Sequence, residues 1–122
     1  MVSMLLRLAA WGCVLTIVIL SLMPRADYPS TGMDGHMEHL MAYAGTGVFV
    51  GLAYLPRKPA WELFGWLALL AGMMELLQNL SPGRHPGVGD FAASSTGALV
   101  GVAIALFASR HVHKAFTGIG IR

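Results

Sequence analysis

Charge is what this sequence has least of. Only 11% of its 122 residues are Asp, Glu, Lys or Arg, too few to cover the surface of an ordinary soluble domain. The formal net charge is +2, and no basic stripe with interleaved aromatics occurs, which argues against a nucleic-acid partner. Cysteine is nearly absent as well. Cys13 stands alone, so an internal disulfide and a paired-cysteine metal centre are excluded. It sits inside an apolar run and reads as a packing residue. HExxH is missing, and SPGRHPGVGD (residues 81–90) lacks the GK[ST] ending of a phosphate-binding loop.

What fills the space is apolar. The chain is 56% hydrophobic with a mean hydropathy of +0.65. Four apolar runs cover residues 3–23, 36–55, 61–80 and 91–109. Each is close to the ~20 residues that a helix needs to cross ~30 Å of hydrocarbon. The six prolines, Pro24, Pro29, Pro56, Pro59, Pro82 and Pro86, all fall between runs, where helix breakers belong. The second run is the least apolar, with His36, Glu38 and His39 at its start and Gly45, Gly47 and Gly51 within it. The connectors are too short to build a separate soluble core. The expected fold is therefore all-α: one domain over residues 1–122, an integral membrane bundle of four transmembrane helices.

The first run reads as an uncleaved span. A secretory signal peptide with Arg7 as its n-region is the alternative, but PRADYPS offers no convincing small-x-small cleavage site. A lipoprotein signal cut before Cys13 fits no better, because the run continues well past it; the uncleaved span is favoured. Arg7, Arg57, Lys58, Arg110, Lys114 and Arg122 fall on one side of a four-span chain, and only Arg25 and Arg84 on the other. The positive-inside rule then predicts both termini in the cytoplasm, N-in and C-in. Trp61 and Trp66 suit the inner interfacial belt.

With that topology, the unusual polar residues converge on the outer leaflet. Glu75 lies five residues before the end of the third run, roughly 7–8 Å deep at 1.5 Å per residue, and Gln78 shares its face. His36 and His39 open the second run. Asp90 is expected to cap the fourth, with Ser94 and Ser95 one turn further in, and Ser21 and Pro24 close the first at the same level. A carboxylate facing lipid costs several kcal/mol, so Glu75 is expected to face the bundle interior, with Arg84, His39 or a water-filled cleft as its partner. A structural clasp of Glu75, Gln78, Arg84 and Asp90 fits this pattern. A binding or catalytic site fits it better, because ionisable groups within membranes are usually functional. Gly47–Gly51 and Gly97–Gly101, the second pair extended by Ala93, are small-xxx-small pairs that predict close packing of the second run on the fourth.

These residues resemble the VanZ-like family of small multi-spanning bacterial membrane proteins. Ser21-Leu22-Met23-Pro24 is similar to the family's SxxP ending of the first span, and His39 is followed by Tyr43 and a glycine as in the second. Glu75-Leu76-Leu77-Gln78, Pro82-Gly83-Arg84, Asp90 and Gly97 resemble the ExxQ, PxR, D and G signature. The resemblance runs from residue 21 to about 101. Members often carry Asp-Lys where this chain has Gly35-His36, and Asn where Ser94 stands. The resemblance implies a bacterial cytoplasmic-membrane location. The family's founding member is associated with low-level resistance to the glycopeptide teicoplanin.

Two functions from different classes then compete. In the first, an outer-face pocket of His39, Glu75, Gln78, Arg84, Asp90 and Ser94 binds a lipid head group or a cell-wall precursor. In the second, a membrane hydrolase or transferase uses His39 or Glu75 as general base, Asp90 to orient it and Arg84 to stabilise negative charge. Its nucleophile is the missing part; Ser94 and Ser21 are the available serines, and such residues usually cap or pack. No cofactor is expected. Metal handling by His36, His39 or His85, with Met33, Met37 and Met41 nearby, is a minor third reading. HVHK at residues 111–114 reads as a basic anchor near anionic lipid.

Overall fold

A computed structural model describes residues 1–27, 29, 31–55, 57–83 and 87–118. Among these residues the chain is all-α, with four α-helices: α1 (Val2–Leu22), α2 (Gly35–Tyr54), α3 (Ala60–Gln78) and α4 (Val88–Gly118). A short 3-10 turn, Arg25–Asp27, follows α1. The first three helices begin and end within two residues of the apolar runs. Helix α4 is longer than its run, at 31 residues, because no proline interrupts it after Pro86.

Three helices, α1, α3 and α4, are long and apolar enough to cross a membrane, as in a multi-pass membrane protein. Helix α2 is also 20 residues long, but its polar first turn and its glycines make it less apolar. Its place in the bundle explains why it tolerates them.

The packing is inside-out by the standard of a soluble protein. Small residues fill much of the interior: Ala10, Ala53, Ala71, Ala98 and Ala105 are buried. Large ones point away from it, since Leu8, Trp11, Leu15 and Ile19 on α1 are each more than half exposed. In water so large an apolar surface would drive association. Against lipid tails it costs nothing, and small residues at the helix contacts let backbones approach.

The closest approach is between α2 and α4, the most extensive helix pair. A Cβ added at Gly97 would fall on the Leu40 carbonyl oxygen, and one at Gly101 on that of Ala44. A Cβ at Gly47 would lie 2.9 Å from the Ala98 carbonyl oxygen, and one at Gly51 would strike the Ala105 methyl. The two glycine pairs thus face each other, so α2 sits against α4 while α1 packs on α2 and α3 on α4.

Helix ends are tied at one end of the bundle. Pro24 stops α1, whose C-cap Met23 is extended (φ −68°, ψ 135°). The Ser81 hydroxyl, just beyond α3, lies 3.2 Å from the carbonyl oxygens of both Leu22 and Met23. It donates to carbonyls that the last turn of α1 leaves without intrahelical partners.

Candidate functional site

The starts of α2 and α4 and the end of α3 meet at this same end of the bundle. His39 lies in the second turn of α2, Glu75 in the last turn of α3, and Asp90 in the first turn of α4. Two helix N-termini here present their positive dipole ends, which favours carboxylates.

His39 is held by its own helix. Its Nδ1 lies 2.7 Å from the carbonyl oxygen of Gly35, close enough that the proton must sit on Nδ1 and be donated there. In the neutral ring that leaves the Nε2 lone pair free to face outward from α2. Nε2 lies 3.7 Å from Oε1 of Glu75. The other Glu75 oxygen, Oε2, accepts the backbone N–H of Gly87 at 3.1 Å, so the loop before α4 sets the carboxylate's orientation.

Asp90 reaches the histidines from the other side. Its Oδ1 lies 3.9 Å from Nδ1 of His39 and 3.4 Å from Nε2 of His36. The sequence predicts Asp90 as the cap of the fourth helix. It is instead the third residue of α4, which starts at Val88, and its carboxylate points to α2. Gly89 makes that approach fit: a Cβ there would lie 2.7 Å from Nε2 of His36. His36 in turn has Nδ1 3.7 Å from Oδ2 of Asp34. The result is a row Asp34, His36, Asp90, His39, Glu75 whose side-chain exposure falls as 77, 60, 21, 18 and 12%. It leads from water into the bundle.

Other residues expected at the site lie beside this row. Gln78 is buried and lines a small cavity of about 80 Å³ with His39, Tyr43 and Ser21, on the α1 side. Ser94 is only 1% exposed, one turn below Asp90, and has no opening to the outside. Arg84 and His85 fall outside the described residues. Met33, Met37 and Met41 are each about half exposed.

A second space adjoins the row. Between α3 and α4 runs an open, mostly apolar groove of about 790 Å³, lined by Leu69, Gly72, Met73 and Phe91 and headed by Glu75 and Gly87. Gly72 keeps its floor low, since a Cβ there would touch the Phe91 ring at 3.5 Å.

Compared with known proteins, the chain matches no family model, no curated protein and no solved structure. The site must therefore be read from its own chemistry. Among the described residues, His39, Glu75 and Asp90 are the group that could hold a metal ion, each offering one ligand atom within 4.8 Å of the others.

Several contributors escape sequence reasoning. Gly87 and Ser81 act through a backbone N–H and through distant carbonyls, which leave no pattern in the sequence. At the opposite end of the bundle, the Trp11 indole N–H donates to the Tyr54 hydroxyl at 2.8 Å. The Arg7 guanidinium sits 5.7 Å from the centre of the Tyr54 ring, a cation–π contact. The sequence marks Arg7 only as a positive charge.

Proposed function

We propose that this chain is a four-span protein of the bacterial cytoplasmic membrane, with both termini inside, that binds an envelope lipid or lipid-linked cell-wall precursor at its outer face. One observation carries this reading: the polar row and the apolar groove meet at Glu75, whose carboxylate is held by the Gly87 N–H at the head of the groove. An amphiphile laid along α3 and α4 would put an acyl chain in the groove and its head group against His39, Glu75 and Asp90. Such a division of labour, with apolar walls and a few convergent polar groups, is typical of small-ligand sites. Gln78 and Ser94 support the row from below, and Arg84, two residues before Pro86, is the cation assigned to an anionic head group. The six-against-two distribution of basic residues supports the orientation. The resemblance to VanZ-like proteins supports an effect on glycopeptide susceptibility through access to that precursor.

The enzymatic alternative keeps the same residues, with His39 as general base between two carboxylates. Ser94 is too buried to serve as its nucleophile, so this route would need a water in that place. Binding is the reading the geometry favours.

Native mass spectrometry of the protein released from bacterial membranes tests it. Retention of a defined envelope lipid, weakened in Glu75→Gln, is expected. Indiscriminate retention of bulk phospholipid, equal in both forms, would overturn the proposal. Turnover of labelled envelope lipid by the purified protein would move the assignment to the enzymatic alternative.

A further inference from the structure

We infer that His39, Glu75 and Asp90 form a binding site for one divalent transition-metal ion of the zinc class, with His36 at its outer rim. This goes beyond the head-group reading, which requires no metal, and it stands whether or not a lipid binds.

The spacing is the first argument. An imidazolium clasp between two carboxylates would close to charge-assisted hydrogen bonds of about 2.7–2.9 Å. The groups here stay further apart. Nε2 of His39 lies 3.7 Å from Oε1 of Glu75, and Nε2 of His36 lies 3.4 Å from Oδ1 of Asp90; Asp90 approaches His39 most closely at Nδ1, at 3.9 Å. Donors at about 2.0–2.1 Å from a tetrahedral zinc ion stand about 3.3–3.4 Å apart. The two facing pairs are thus held within a few tenths of an ångström of the separation of ligands around an ion, and one ligand atom from each of His39, Glu75 and Asp90 lies within 4.8 Å of the others.

Orientation is the second. A metal-bound histidine commonly donates its other ring N–H to a backbone carbonyl or carboxylate, which fixes tautomer and ring angle. His39 does this through Nδ1 to Gly35, leaving Nε2 directed at Glu75. Glu75 is arranged alike, with Oε2 on the Gly87 N–H and Oε1 toward His39. Each ligand comes from a different helix, so the site draws on the bundle's own rigidity.

Donor type selects the ion. One or two imidazoles with two carboxylates suit zinc and its transition-metal neighbours, whereas magnesium and calcium prefer oxygen-only shells. Two carboxylates and neutral imidazoles match a 2+ charge, and a partly dry site strengthens that attraction.

Zinc alone, titrated into the full-length protein in detergent with any affinity tag removed and prior metal stripped by chelator, tests the assignment. One zinc per chain should survive gel filtration, and zinc should raise the melting temperature. His36→Gln, a change at an exposed residue, should weaken binding about tenfold; His39→Gln and Asp90→Asn should weaken it more. Replacing the tail histidines His111 and His113 should leave binding unchanged. A second measurement needs no variant: zinc should shield His39 of the native chain from carbethoxylation while His111 stays reactive. Failure to retain zinc, retention undiminished in His39→Gln, equal competition by magnesium, or unshielded His39 would each overturn the proposal. Lipid retention is measured without added metal, so loss of the zinc site would leave the head-group reading standing.

Discussion

Nε2 of His39 and Oε1 of Glu75 lie 3.7 Å apart, although one residue lies near the start of α2 and the other near the end of α3. Neither helix could keep its polar group at this depth alone. Each finds the other because α2 and α3 bring opposite ends to one level, and Asp90 of α4 closes the set. Both side chains are less than one-fifth exposed, which shields their coupling from solvent screening.

Glu75→Gln keeps the shape of the side chain and an acceptor for the Gly87 N–H, but removes the charge. The protein should stay folded and reach wild-type abundance, while lipid capture and any envelope phenotype are lost. A hydrogen bond to a charged group contributes about 1.5–3 kcal/mol, so affinity should fall roughly 10- to 100-fold. Normal function at normal abundance would make the pair a clasp.

Gly97→Ala should be severe. The new methyl would fall on the Leu40 carbonyl oxygen, a backbone atom that cannot rotate aside. Separating α2 from α4 should cost about 1–3 kcal/mol, read as a lower melting temperature in detergent. Gly45→Ala is the matched control, since nothing lies within 4 Å of its added Cβ. It should be neutral or slightly stabilising, because alanine is the better helix former.

Tyr54→Phe tests the opposite end. It leaves the ring beneath Arg7 but removes the acceptor of the Trp11 N–H. Stability should drop by about 0.6–1.7 kcal/mol, the range of side-chain hydrogen bonds within membranes. An unchanged melting temperature would show that Trp11 finds another acceptor at the interface.

Orientation is checked by labelling. With Cys13→Ser as background, a cysteine at position 33 should react with an impermeant reagent applied outside intact cells, and one at position 58 should not. Labelling of position 58 from outside would reverse the topology.

Much of this protein is written locally. Apolar runs of helix length bounded by proline predict four helices to within two residues at most ends, because lipid thickness and the missing N–H of proline act on short stretches. The end of α4 was not legible, since a helix can continue past its apolar run until something stops it. That His36, His39, Glu75 and Asp90 lie at one end of the bundle also followed from helix ends alone.

Which of those residues touch was not legible. The sequence offers Arg84, His39 or a cleft as partner to Glu75 and treats Asp90 as a cap. The tertiary structure turns Asp90 toward two histidines and directs Glu75 to His39 and Gly87. Periodicity defines the face of one helix, but not the rotation of that helix against another. Here that rotation depends on backbone contacts at Gly47, Gly51, Gly97 and Gly101. Hydrophobicity and proline thus determined the elements and most of their ends, while close packing between helices decided the site.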